Sequence, residues 1–186
     1  ASDEHGADYF VQKDNFELAK SMIKELFSKN LIFHSHNSAA IERASDVGDE
    51  YVRAGMAQFG YSGFDESLGL KKVLKLYANR VSSRVLKAGQ SVGYGGVFTA
   101  KYDMDIATYD LGYGDGLFRY NGKGELNLAN GKPILGKMSM DSFSSTDMGE
   151  RICVIDDANI WAEFFDTINY DVLVKLSPLI NRRVVE

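Results

Sequence analysis

The spacing of apolar residues changes once along the chain, near residue 66. Before that point the period is helical. Phe16, Ala19, Ile23, Leu26 and Phe27 recur three and four apart with Lys20, Lys24 and Glu25 on the opposite face, which predicts an amphipathic helix over 15–29. Asp14-Asn15-Phe16-Glu17 ahead of it has capping-box spacing. Leu31 to Ser35 is apolar on both faces, as a covered parallel strand would be. Asn37 and Ser38 can cap a short helix through Ala39 to Arg43, and Glu50 to Met56 reads as a second strand running into a glycine turn.

Beyond residue 66 apolar and polar residues alternate, first over Val73 to Leu86. Strand-like runs follow at Ser91–Lys101, Met104–Leu111, Ile134–Met140, Ser142–Asp147 and Arg151–Ile155, separated by turn signals such as Asn121-Gly122 and Asn130-Gly131. One helix is predicted over 160–168 with Asn159 as its cap, and Tyr170–Val174 and Arg183–Val185 read as final strands. The expected fold class is therefore α/β plus mainly β. Residues 1–66 form the closing strands and helices of a TIM-type barrel, and residues 67–186 an antiparallel, barrel-like β domain.

Composition narrows the function classes. A net charge of -5 with mixed signs provides no basic stripe for nucleic acid. No apolar run approaches the roughly 20 residues that cross a bilayer. Cys153, within Ile152-Cys153-Val154-Ile155, is expected to be a buried thiol, and one cysteine allows no internal disulfide, which fits a reducing cytoplasm. The first residues, Ala1 to Asp8, read like the middle of a loop.

Several clusters could carry chemistry. Tyr94 stands among glycines in Val92-Gly93-Tyr94-Gly95-Gly96, where missing Cβ atoms let backbone or ligand approach and let a phenol project into a site. A Gly-rich bend with a surface tyrosine accounts for the same residues. His34-Ser35-His36 would place two imidazoles on one strand face, as a metal pair requires, but further ligands are not evident and structural hydrogen bonding is the plainer reading. Gly112-Tyr113-Gly114-Asp115-Gly116 and Gly122-Lys123-Gly124 fit neither a dinucleotide fingerprint nor a P-loop and read as turns. Asn37-Ser38 at a helix start and the turn at Gly55-Met56 could together form a phosphate cup, although capping explains the first equally well.

In order and with the expected gaps, seven motifs resemble alanine racemase: His34-Ser35-His36-Asn37-Ser38-Ala39-Ala40, Val52-Arg53-Ala54-Gly55-Met56, Ser82-Ser83-Arg84-Val85, Val92-Gly93-Tyr94-Gly95, Leu111 to Gly116, Gly136-Lys137-Met138-Ser139-Met140-Asp141, and Thr167 to Leu173. The resemblance implies a pyridoxal 5'-phosphate enzyme with an N-terminal α/β barrel and a C-terminal β domain. Such an enzyme works as a head-to-tail homodimer with shared active sites and interconverts L- and D-alanine for cell-wall peptidoglycan. It also implies that Ser38, the amides of Gly55 and Met56, and the phenol of Tyr170 hold the cofactor phosphate. Asn37 would lie near the cofactor hydroxyl and Arg53 would face the ring nitrogen, with His34 bonded to Arg53. Tyr94 would serve one face of the substrate α-carbon in the other subunit's site. Tyr113 and the Met140 backbone would hold the substrate carboxylate, with Asp141 beside them. His36 receives no role.

The sequence departs from the family pattern at Ala54, His36 and Ser139, where proline, alanine and cysteine are usual. It also contains no lysine in the motif of the family's Schiff-base lysine. The expectation is therefore a C-terminal part of a longer enzyme, inactive alone, whose β domain folds while the first 65 residues need the missing N-terminal barrel half. Two alternatives stand beside it: a non-catalytic dimerisation or regulatory module that keeps the β fold, and a racemase of another amino acid such as serine or lysine.

Overall fold

The computed structural model describes residues 8–44, 51–62 and 68–185, so His5, Glu50 and the predicted boundary at residue 66 lie outside the described residues. The chain divides into two compact units, Ala1–Val73 and Leu74–Glu186.

In the first unit, α1 spans Asp8–Leu26, starting a full two turns before the predicted helix. The reason is Tyr9. It extends the stripe Tyr9, Phe16, Ile23 by one heptad and is itself buried, so the helix begins where its first anchor lies and Asp14 is an interior residue. The short helix α2 spans Ser38–Arg43 as expected, and the Asn37 side chain caps it by accepting from the Ala40 N–H at 2.9 Å. The two predicted strands reduce to one isolated parallel bridge between Asn37 and Arg53, in which the Arg53 N–H donates to the His36 carbonyl at 2.8 Å. A single 3-10 turn, Met56–Phe59, follows.

The second unit is built on β1 (Leu76–Leu86), an 11-residue strand with two partners. Its first residues pair with β7 (Arg151–Ile155) and its later ones with β4 (Met104–Tyr109), both antiparallel, with register irregularities at Leu76/Tyr77 and Arg80/Ser82. β5 (Ile134–Leu135) and β6 (Phe143–Ser145) complete a sheet of order β5-β6-β4-β1-β7. The predicted strand Ser91–Lys101 is instead a two-strand ribbon, β2 (Ser91–Val92) and β3 (Phe98–Thr99), opened by a 3-10 turn at Tyr94–Gly96. Leu86, Ala100, Ile106 and Leu135 form a core under this ribbon, with Val92, Phe98 and Met104 packed against it.

Four expectations are corrected here. α3 spans Ala158–Phe164, capped by Asp157 rather than Asn159, because the Asp157 carboxylate accepts from the Asn159 N–H at 3.0 Å. Tyr170–Val174 is not a strand but lies in a helix, α4 (Asn169–Val174). Val172, Leu173 and Leu176 are buried at helical spacing, and Asp171 pairs with Lys175 one turn on at 3.0 Å, an i,i+4 signal that the sequence already carried. Arg183–Val185 has no regular structure. Cys153 is only half-buried, because alternation along β7 gives the inward positions to Ile152 and Val154. Desolvation is the largest cause raising its thiol pKa.

Candidate active site

In the first unit, hydrogen bonds join most of the residues singled out from the sequence. Arg53 lies across the bridge from Asn37, and its guanidinium donates to His34 Nδ1 at 2.9 Å, the His34 carbonyl at 3.2 Å and the Ser35 carbonyl at 3.2 Å. Arginine can only donate, so His34 Nδ1 accepts and a neutral imidazole carries its proton on Nε2. The guanidinium is thereby held by a ring and two carbonyls while remaining exposed. Ser38 is buried at the first position of α2, and its Oγ accepts from the Gly55 N–H at 3.0 Å and the Ala57 N–H at 3.4 Å. With both N–H groups on its lone pairs, the hydroxyl's remaining capacity is as a donor. Met56 opens the adjacent 3-10 turn and is half-buried.

The two histidines do not converge as a metal pair would. His34 is exposed on Arg53, whereas His36 is buried with Nδ1 2.9 Å from Ser35 Oγ and Nε2 3.3 Å from Tyr9 Oη. Among the described residues, no group of three potential ligands is placed to hold a metal. The contact of His36 with Tyr9, which ties α1 to the segment carrying Asn37 and Ser38, has no signal in the local sequence.

In the second unit, the turns carrying Tyr94 and Tyr113 both pack on the segment 136–141. A Cβ on Gly93 would lie 2.5 Å from the Lys137 nitrogen, and one on Gly112 would lie 2.3 Å from the Met140 oxygen. Close approach is thus made by backbone in both places, and Tyr94 itself is 63% exposed, free to reach outward from a fixed base. The Tyr113 N–H donates to the Ser139 carbonyl at 3.2 Å and the Gly114 N–H to the Met140 carbonyl at 2.8 Å, which brings Tyr113, Met140 and Asp141 together. The Asp115 carboxylate closes this turn by accepting from the Gly112 N–H at 2.9 Å. The Arg119 guanidinium lies 5.3 Å from the Tyr113 ring centroid, a contact the sequence reading missed. Tyr170 is the second residue of α4 and half-buried. Beside it, the Lys175 ammonium and then the Thr167 hydroxyl hold the Asp171 carboxyl below its ordinary pKa.

The first unit thus presents hydroxyl, amide and guanidinium donors, and the second an antiparallel sheet with tyrosines on glycine-bounded turns. Donors of this kind suit an anionic group and a neutral ring acceptor. Residues 73–184 match the family described as "Alanine racemase, C-terminal domain". The chain belongs to the alanine racemase family. Over all of its length it is 66% identical to an alanine racemase of Campylobacter concisus and 62% identical to one of Campylobacter jejuni, covering 56% and 55% of those proteins. It therefore spans about half the length of the curated relatives it matches. Among solved structures it is similar to a Clostridium difficile alanine racemase in complex with cycloserine, with TM-score 0.81 and 27% identity over 95% of this chain and 52% of that one. It is also similar to a Bartonella henselae alanine racemase with covalently bound pyridoxal phosphate, with TM-score 0.74 and 26% identity over 95% of this chain and 52% of that one. The α/β-plus-β fold class read from the sequence is the one these relatives share. No described helix is long and apolar enough to cross a membrane.

Proposed function

We propose that this chain is the C-terminal part of a pyridoxal 5'-phosphate-dependent alanine racemase that interconverts L- and D-alanine in the cytoplasm for cell-wall peptidoglycan. The observation that carries this reading is the 66% identity to an alanine racemase in an alignment that covers the whole chain. In this reading residues 1–66 belong to the α/β barrel and residues 67–186 to the β domain. The lysine serving the other face of the substrate lies outside this sequence, and the enzyme is a homodimer with shared active sites.

The donor set supports the cofactor assignment. Ser38 Oγ, with donor capacity left after accepting from Gly55 and Ala57, would bind the phosphate together with the Met56 amide and the Tyr170 phenol, and the Gly55 amide would join them by turning from Ser38. Asn37 would lie near the ring hydroxyl and Arg53 would donate to the ring nitrogen. Pyridoxal phosphate, when bound, supplies an electron sink for charge developing at the substrate α-carbon. Arg53 limits that sink: a guanidinium stays charged at working pH and has only donors, so it opposes protonation of the ring nitrogen and favours racemisation over longer-lived carbanion chemistry. Its bond to His34 would restrain the guanidinium for that role. Tyr94 would move a proton at one face of the α-carbon, while Tyr113 and the Met140 backbone, with Asp141 beside them, would hold the substrate carboxylate.

The test is the full-length protein incubated with L-alanine and assayed for D-alanine by chiral chromatography, with Tyr94→Phe as the variant. Loss of a general acid–base group should lower kcat by about 10²–10⁴-fold while the visible absorbance of bound pyridoxal phosphate persists. A full-length protein that binds no pyridoxal phosphate or leaves L-alanine unchanged would overturn the reading.

A further inference from the structure

The turn that carries Tyr113 rests on the end of α4. Gly116 closes that turn at φ 94°, and a Cβ there would lie 1.9 Å from the Lys175 carbonyl oxygen, so the two backbones touch. The Ser177 N–H donates to the Asp115 carbonyl at 2.8 Å, and the Asp115 carboxylate binds back to the Gly112 N–H. A side chain follows the same route. Lys175 Nζ is 3.0 Å from Asp171 Oδ2 and 4.1 Å from the centroid of Phe118, which leaves the turn two residues after Gly116. The Thr167 hydroxyl donates to the same Asp171 oxygen at 3.0 Å, fixing the carboxylate. The residue after Phe118 is Arg119, whose guanidinium covers the Tyr113 ring. The ammonium thus joins a carboxylate on α4 to a ring on the Tyr113 segment, which a compact charge on a flexible stem can do.

We propose that Lys175 is a positioning residue that clamps the Gly116–Arg119 segment to α4 and thereby fixes the ring of Tyr113. The geometry stands independently of the enzyme's reaction, and the catalytic consequence rests on the alanine racemase reading. The ion pair is exposed, at 48% for the Lys175 side chain and 31% for Asp171, and such a pair alone contributes little, so the clamp rests on the added contact of the same ammonium with the Phe118 ring.

The experiment uses the full-length protein labelled with fluorotyrosine, with the Tyr113 resonance assigned in fluorine NMR by its loss in Tyr113→Phe. Lys175→Met keeps the stem and removes the charge, Lys175→Arg keeps the charge, and Phe118→Leu removes the ring from the other side. The Tyr113 resonance should shift or broaden in Lys175→Met and in Phe118→Leu, return in Lys175→Arg, and leave the Tyr94 resonance in place. In the same proteins KM for alanine should rise about 3-fold in either single variant, with kcat within about 2-fold and the double variant no worse than one single. A Tyr113 resonance unmoved in both single variants, or KM effects that multiply in the double variant, overturns the clamp. If the resonance moves as described while the wild-type protein racemises no alanine, the clamp stands and the racemase reading falls.

Discussion

Replacing Gly93 by alanine tests the base on which Tyr94 stands. Gly93 has φ 82° and ψ 165°, a region essentially reserved for glycine, and holding a side chain there costs about 1–3 kcal/mol. The added Cβ would also lie 2.5 Å from the Lys137 nitrogen, where ordinary contact begins at 3.4 Å, so the backbones must part by about 1 Å. Overpacking of that kind adds about 1–3 kcal/mol, for a total of about 2–6 kcal/mol. Gly89→Ala is the control, with nearly the same φ of 82° but no atom within 4 Å, and should cost only about 1–2 kcal/mol. Urea denaturation of the full-length protein, followed by circular dichroism, reads both. Moving Tyr94 by about 1 Å should in addition lower racemisation by about 10²-fold in molecules that remain folded. Equal destabilisation by the two substitutions would refute the claim that backbone-on-backbone contact, rather than turn geometry alone, demands glycine before Tyr94.

Ser38→Ala should leave the Gly55 and Ala57 N–H groups without their acceptor and cost about 1–2 kcal/mol, with weaker retention of pyridoxal phosphate on dialysis as the second readout. The buried Tyr109 hydroxyl donates among the Asp147 and Gly149 carbonyls, and burial, then the Asp147 charge, push its pKa from 10.0 up to about 12. Because the folded value is the higher one, its contribution is complete below pH 10.0 and declines as pH rises towards about 12. Tyr109→Phe should therefore flatten the alkaline limb of the stability–pH curve and cost about 1–2 kcal/mol at neutral pH, measured by urea titration at several pH values.

The sequence made the order of the β unit legible because its strands alternate and its turns carry Asn-Gly and Gly-rich signals. It misplaced elements whose limits depend on distant partners. α1 begins at Asp8 because Tyr9 meets His36, 27 residues away, which no local window contains. Tyr170–Val174 alternates well enough for a strand, and only the Asp171–Lys175 spacing, read as a helical pair, pointed to α4. The same divide runs through the candidate site. The cap at Asn37 follows from local chemistry, whereas the bonds from Arg53 to His34 and from Gly55 to Ser38 join segments 17 to 19 residues apart. Spacing alone could not supply those contacts; the family resemblance could, but only for His34.

The glycines before Tyr94, which could admit either backbone or a ligand, and the Gly112–Gly116 motif, which reads as a turn, both meet backbone. Gly93 meets Lys137, Gly112 meets Met140 and Gly116 meets Lys175, each at a distance that admits no Cβ and each against backbone. Two turns are therefore seated on main chain at three glycines, and main chain cannot change rotamer as a side chain can. That seating serves precision more than access. A phenol that must meet a reacting atom to within a fraction of an ångström is better carried by a turn whose backbone is locked than by one whose support can repack. Gly93 and Gly112 accordingly constrain where Tyr94 and Tyr113 stand, and the exposed Tyr94 projects from a base fixed by backbone contact.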